Sequence, residues 1–542
     1  MQQPGFGEAR RGGDACSVRP PSGAARFTYR ETVIIIVGLM LGMFLSALDQ
    51  TIVATALPRI ASDLDGEAHL SWVVSAYLLT STAATPIYGK LSDLYGRKIM
   101  LQAAITIFLA TSVLCALAAS MGQLIAFRGL QGLGGGGLIA MAHATIADIV
   151  SPRERGRYQA YIAAVFAVAS VIGPVLGGLF VQHLTWRWVF WINLPIGIGA
   201  LVLSELTLRR LAPKRLRHQI DYPGAVLIVA AVCCVLLVTT MGGNEVPWDS
   251  AVIKGLAAAA ALLFAACVGQ ELRAREPILP PRLFVNRVFV TANLINLLTA
   301  TGMLGGIVFM PLFLQLVYGL APDDAGLMLI PLTATSVVAA ITTGRLVAAT
   351  GRYKIFPLLG VAVTGGGMLM LAATTETTPL WLTGVAMALA GSGIGLVMPV
   401  MMVVVQNAVE IRDLGTATSS ISFFRSMGGS FGVALFGAVL IARLNSLIGA
   451  LPDHAALGAD PGIRLLHAGD AAQALAPAAL RPAVAGAMAS AFHSVFLVAA
   501  GIALLTLMSV LSLKEIPLKT TVGAAEAGRA AEDGGAAASL AD

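Results

Sequence analysis

Charge is what this sequence has least of. Asp, Glu, Lys and Arg make up 12% of its 542 residues, against 57% hydrophobic residues, and the mean hydropathy is +0.82. Soluble domains carry about 25% charged residues. Half that amount cannot cover a water-facing surface, so a string of soluble domains is excluded, as are a disordered polar chain and a nucleic-acid binder. Cysteine is also scarce, at five residues. Cys16 lies in a polar leader, while Cys115, Cys233, Cys234 and Cys267 lie inside apolar runs with no His or second Cys pair at metal-ligand spacing. That excludes a disulfide scaffold and leaves ordinary small apolar side chains. Phosphate loops and HExxH are missing. The one G-x-G-x-x-G match, Gly132 to Gly137, sits in an apolar run with no strand before it. Nucleotide binding, a metal, a cofactor and an enzymatic activity are therefore not expected.

What is present is a series of long apolar runs. A membrane helix needs about 20 such residues, and fourteen runs qualify, from 32–56 and 70–89 through 188–208 and 326–348 to 420–441 and 490–512. The expected protein is an all-α polytopic membrane protein. The leader, residues 1–31, carries five Arg among Gly, Pro and Ser without the short apolar core of a signal peptide, and reads as a disordered cytoplasmic tail. With the N-terminus inside, 27 of the 35 Lys and Arg fall in cytoplasmic segments, six fall outside, and Arg128 and Arg425 remain within spans. This asymmetry, rather than the net charge of +6, sets orientation. Both termini are expected in the cytoplasm, residues 516–542 as a second disordered tail, and 442–489 as a long external loop.

The chain also repeats itself. Gly89-Lys90-Leu91 precedes Gly96-Arg97 by seven residues, and Gly344-Arg345-Leu346 precedes Gly351-Arg352 by seven, at an offset of 255 residues. Both stretches fall in short basic loops at the same place in a six-span block. Two six-helix bundles, 32–210 and 276–515, separated by two inserted helices in 211–275, fit that offset and suit a rocking transporter.

On these residues the sequence resembles the major facilitator superfamily. Gly89 to Lys98 resembles its signature loop. Arg128-Gly129-Leu130-Gln131-Gly132 and Gly173-Pro174-Val175-Leu176-Gly177-Gly178 resemble two further motifs, the second associated with antiporters. Leu48 to Pro58 and Trp186 to Pro195 are similar to marks of the fourteen-span drug:proton antiporter branch. Two departures stand out: Ala348 occupies the place of Asp93 in the second loop, and Ala169 stands where a glycine is expected.

Asp49 is the one acid well inside a span. Burial disfavours its charge, so it can exchange a proton against a cationic substrate; the alternative is a brace near the outer interface. Arg128 either snorkels to the outer surface or, as the resemblance implies, joins Asp49 in proton coupling. The resemblance further implies a conformational latch from Gly89, Asp93, Gly96, Arg97, Lys98, Asp148 and Arg155, with Asp93 at a helix N-terminus and Arg97 paired with Asp148. A topology signal with a glycine turn is the alternative. Gly173, Gly177 and Gly178 permit close helix contact and Pro174 kinks the span. Asn293, Asn296, Gln315, Gln406 and Asn407 either line a substrate cavity or bond neighbouring helices.

The function expected is a monomeric, proton-coupled exporter of amphipathic or lipophilic drugs in the plasma (inner) membrane, its partners being small-molecule substrate, protons and the lipid bilayer, with no nucleic acid. A transporter of a specific metabolite, lipid or siderophore is the alternative, followed by a non-transporting sensor or scaffold.

Overall fold

The computed structural model of the chain describes residues 29–65, 69–208, 221–242, 246–274, 276–375, 377–451 and 481–518. In hydrocarbon every backbone polar group must be satisfied within its own segment, which apolar runs of this length achieve as helices. The first half contains α1 (Tyr29–Asp63), α2 (Leu70–Tyr95), α3 (Arg97–Ala116), α4 (Met121–Ile149), α5 (Pro152–His183) and α6 (Asn193–Thr207). The inserted pair is α7 (Tyr222–Met241) and α8 (Ala251–Glu271). The second half contains α9 (Arg287–Tyr318), α10 (Ile330–Thr350), α11 (Ile355–Ala372), α12 (Leu380–Asn407), α13 (Leu414–Gly449) and α14 (Arg481–Ser512).

These fourteen correspond to the fourteen expected spans. Among the described residues thirteen helical stretches are long and apolar enough to cross a membrane, α6 counted from Trp188 and α10 from Asp324. The exception is α2, whose 26 residues reach about 39 Å at 1.5 Å per residue but include Thr80, Ser81, Thr82, Thr85, Lys90, Ser92 and Asp93. It can be polar because it packs against α4, α7 and α13. Two expected spans are broken near their starts. A short turn, Trp188–Trp191, precedes α6, and Pro322–Leu327 precedes α10. Helices α13 and α14 also overrun their expected ends, so only residues 450–480 separate them, not 442–489. Most of both tails, the basic stretch 209–220 and residues 452–480 lie outside the described residues.

The halves meet at one end, the end that carries the loop between α2 and α3. There α2 packs on α13 and α5 on α10, with α4 and α12 adding to the seam. The repeat seen in the sequence is visible in both contacts. A Cβ on Gly89 would lie 2.8 Å from the Gly415 carbonyl oxygen of α13, and one on Gly344 would press on that of Gly156 on α5. Both loops turn on a glycine with positive φ, Gly96 at 92° and Gly351 at 72°. The inserted pair lies against α2 and α13, where Ile228, Val232 and Leu236 pack with Ala83, Phe423 and Met427.

Candidate coupling site and latch

Asp49 stands in the middle of α1 with 0% of its surface exposed. Three donors converge on its carboxylate. Arg128 Nη1 is 2.5 Å from Oδ2, while Gln131 Nε2 and Asn193 Nδ2 donate to Oδ1 at 3.2 and 3.0 Å. Arg128 and Gln131 are three residues apart on α4 and so share a face; Arg128 also donates to Gln131 Oε1 at 2.8 Å and to the Val73 carbonyl at 3.3 Å. Its guanidinium lies 4.3 Å from the centre of the Tyr77 ring on α2, and the Tyr77 hydroxyl meets Ser46 Oγ at 2.9 Å. Asn193 reaches Ser112 Oγ on α3 at 3.0 Å, and Ser112 donates to the Phe190 carbonyl at 2.9 Å. Cys115 Sγ, 3.6 Å from Gln131 Oε1, closes the set.

The snorkelling alternative for Arg128 is thereby overturned. Its side chain is 1% exposed and turns inward, because a buried carboxylate and an aromatic face offer it more than a route to the interface. The brace alternative for Asp49 fits the same geometry less well, since the carboxylate is deep in the first half and not at a helix end. Gln131, Asn193, Ser112 and Tyr77 were not singled out from the sequence. Gln131 and Asn193 lay inside the quoted motifs, and an amide within an apolar run was the available signal.

At the loop end, Asp93 supplies an anion to the N-terminus of α13 across the seam. It accepts from the backbone N–H of Gly415 at 3.1 Å and of Thr416 at 2.9 Å, groups that a helix leaves unsatisfied in its first turn. Arg97 bridges Asp93 at 2.8 Å and Asp148 at 2.7 Å and also donates to Ser92 Oγ. Gly89, Gly96, Asp93, Arg97 and Asp148 are thus brought together. Lys98 and Arg155 are not. Lys98 pairs with Glu205 of α6 at 2.9 Å, and Arg155 donates to the Val150 carbonyl at 3.0 Å and to that of Ala147. Both brace the first half internally, Arg155 by capping the last carbonyls of α4. Lys90, outside the expected set, reaches Glu276 beyond the inserted pair at 2.8 Å.

The glycine motif on α5 divides in two. A Cβ on Gly173 would sit 3.2 Å from Ile52 N, and one on Gly177 would sit 2.8 Å from Ile52 O, so both seat α5 against the helix that carries Asp49. Gly178 faces open space, with nothing within 4 Å, and takes no part in that contact. Ala169, where the motif has a glycine, joins the same contact through its carbonyl, which accepts from Thr51 Oγ1 at 3.0 Å.

Among the cavity candidates, three act between elements of the second half. Asn296 donates to the Ile421 carbonyl at 2.7 Å, Gln406 to Thr418 Oγ1 at 3.2 Å and Asn407 to the Pro517 carbonyl at 3.1 Å. Asn293 turns back to Phe289 of its own helix at 2.9 Å. Gln315 is partly exposed near the far end of α9. Asn296, Gln406 and Asn407 thus bond neighbouring elements as polar groups in a bundle do, while the buried Oδ1 of Asn293 and Oε1 of Gln406 meet no donor among the described residues.

Residues 39–433 match the sequence pattern described as Major Facilitator Superfamily. Over 420 residues the chain is 40% identical to the Multidrug transporter protein MdtP of Bacillus subtilis, covering 77% of each chain. Over 503 residues it is 36% identical to Multidrug resistance protein 3 of the same organism, covering 91% of this chain and 97% of that one. Its fold is similar to the crystal structure of the human organic anion transporter MFSD10 (TETRAN), with a TM-score of 0.60 at 15% identity over 88% of this chain and 99% of that one.

Proposed function

The chain belongs to the major facilitator superfamily, and we propose that within it the protein is a proton-coupled secondary transporter that exports amphipathic compounds by alternating access. The observation that carries this reading is the Asp49–Arg128 pair, a carboxylate and a guanidinium buried together inside the first half. Charges cost too much in hydrocarbon to be kept there for packing alone, and such residues serve proton relays and substrate paths. Opening the pair frees Asp49 to take a proton from one side, and re-forming it releases that proton to the other. The Asp93–Arg97–Asp148 group ties this event to the seam, some 30 Å away along α4 at 1.5 Å per residue.

The basic loops support a cytoplasmic α2–α3 end, and on this reading the seam described above is a closed cytoplasmic gate. Moving one charge through 100 mV supplies about 2.3 kcal/mol, enough for a concentration ratio of several tens. The relatives named for multidrug transport support drugs as substrates. On this reading the protein is a carrier of the plasma (inner) membrane, acts as a monomer and carries out no covalent chemistry. The test is export from proteoliposomes of a panel of lipophilic cations and neutral drugs, with and without an imposed pH gradient. Gradient-dependent flux is expected, and its absence across the panel defeats the proposal.

A further inference from the structure

The inserted pair carries two buried acids that face each other. Asp221 caps the start of α7 and Glu271 is the last residue of α8; they are 8% and 6% exposed. Each spends one oxygen on donors of its own. Asp221 Oδ1 accepts from the Gly224 backbone N–H at 3.0 Å and from Gln270 Nε2 of α8 at 2.9 Å. Glu271 Oε2 accepts from the backbone N–H of Leu279 at 3.2 Å. The remaining oxygens, Asp221 Oδ2 and Glu271 Oε1, are buried and meet no donor among the described residues. They flank one point. A Cβ on Gly224 would press on Asp221 Oδ2 and lie 3.2 Å from Glu271 Oε1, so the glycine leaves a gap with one unpartnered oxygen on either side.

No base among the described residues bonds either acid. Lys90 of α2 lies within electrostatic reach but is held by Glu276 at 2.8 Å. Arg273, just past the end of α8, is exposed to solvent. Cys267, one turn back on α8, is a buried thiol, and α13 meets α7 with the apolar Phe423 and Met427. Buried polar atoms find partners in nearly all proteins, and two carboxylates in one buried site cannot both be ionised. One proton supplies what both oxygens lack: bonded to one of them, it is donated to the other.

We propose that Asp221 and Glu271 share a single proton between Oδ2 and Oε1, a protonation site of the inserted pair distinct from Asp49. The connector that follows α8 ties this site to both halves. Its Glu276 holds Lys90 of α2, and its Arg282 holds Asp413, at the start of α13, at 2.7 Å. Glu271 grips the same connector at Leu279. When the proton leaves to water at this end, two like charges face each other across the gap and push the ends of α7 and α8 apart, which pulls on the connector. Proton binding lets them close again. The site is one of proton binding and stands whether or not the chain pumps.

The test uses the purified full chain in lipid nanodiscs and requires no transport. Infrared spectra at about pH 6, where ordinary carboxyls are ionised, should show the C=O stretch of a protonated carboxyl. Asp221→Asn and Glu271→Gln should each remove that band, since either amide keeps the shape and brings an N–H that satisfies the remaining carboxylate without a proton. Thermal midpoints give the linked readout. The folded parent keeps a proton that the unfolded chain has released, so its stability falls as pH rises from about 5 to about 8, by up to roughly tenfold in the folding equilibrium per pH unit. Relative to the parent, each variant should gain stability over that range. Absence of the protonated-carboxyl band in the parent overturns the site, and that measurement needs no variant to fold. Variant midpoints that run parallel to the parent's across the range overturn it too. So does a parent midpoint that Mg²⁺ or Ca²⁺ raises at about pH 8 while both variants ignore the ion, since that marks a metal cation between the acids in place of the proton.

Discussion

Asp49 of α1 and Arg128 of α4 meet at 2.5 Å where solvent reaches neither. A pair so placed is stabilising only while complete, because removing one partner strands the other as a bare charge, at a cost of about 3–5 kcal/mol. Arg128→Met should therefore lower the thermal midpoint in detergent sharply. The double variant Asp49→Asn with Arg128→Met should be more stable than Arg128→Met alone, since no charge is then left unmatched. A double variant that melts below both singles would mean that the pair does not act as a unit.

Transport separates from stability at the same residue. Asp49→Asn keeps the shape of the side chain and an acceptor oxygen for Gln131 or Asn193, but cannot bind and release a proton. Folded protein is expected in the membrane with gradient-driven export abolished, measured by flux in proteoliposomes alongside the elution profile of the purified protein. Export that persists at the parent rate would remove Asp49 from the coupling step.

How much of this was legible in the sequence differs from residue to residue. Asp49 and Arg128 could be singled out because charge is rare in an apolar chain, and the latch residues because Gly89 to Lys98 has a half-copy at Gly344 to Lys354. The partners Gln131 and Asn193 could not be told from other amides, since what selects them is the meeting of α4 and α6 on one carboxylate, a tertiary event that leaves no local pattern. Gly177 and Gly178 are neighbours in sequence and 100° apart on a helix; only the position of α1 decides which one is pressed against a backbone. The resemblance groups Lys98 and Arg155 with the latch, whereas Glu205 and the α4 carbonyls hold them within the first half.

That glycine pair gives a contrast inside one motif. A Cβ at position 177 would lie 2.8 Å from the Ile52 carbonyl oxygen, an atom that cannot move without α1, while position 178 meets nothing within 4 Å. Gly177→Ala should force α5 off α1, lowering stability by about 1–3 kcal/mol as overpacking does and slowing export. Gly178→Ala should match the parent in both. Unfolding midpoints and flux for the two alanine variants decide the matter; equal effects would show that the motif acts through something other than this contact.

Asp93 lies across the seam from the helix it caps, so its charge should weigh on the balance between closed and open states rather than on ligand affinity. Losing an N-terminal anion or cap costs a helix about 0.5–2 kcal/mol, roughly a twofold to thirtyfold shift in that balance. In Asp93→Asn, a cysteine probe placed in the seam should become more accessible from the α2–α3 end, and turnover should fall more than binding does. Equal loss of binding and turnover would count against the latch.

At the offset position the second half has an alanine in place of that acid, and this asymmetry can be exploited. Ala348 stands at the offset position of Asp93, one turn beyond Gly344, whose close approach to Gly156 parallels that of Gly89 to Gly415. The parallel directs position 348 toward the first turn of α5, where Pro152 contributes no N–H and Ser151 makes no side-chain cap to the helix. An aspartate there would offer the first turn of α5 the anion that α13 receives from Asp93. Ala348→Asp should therefore strengthen the closed seam and slow turnover in the parent background. In an Asp93→Asn background it should return seam accessibility toward the parent value, because each cap acts on the same closure from opposite sides of the pseudo-two-fold. Accessibility that rises further in the double variant would show that the two contacts, despite their shared origin in the repeat, do not bear on one gate.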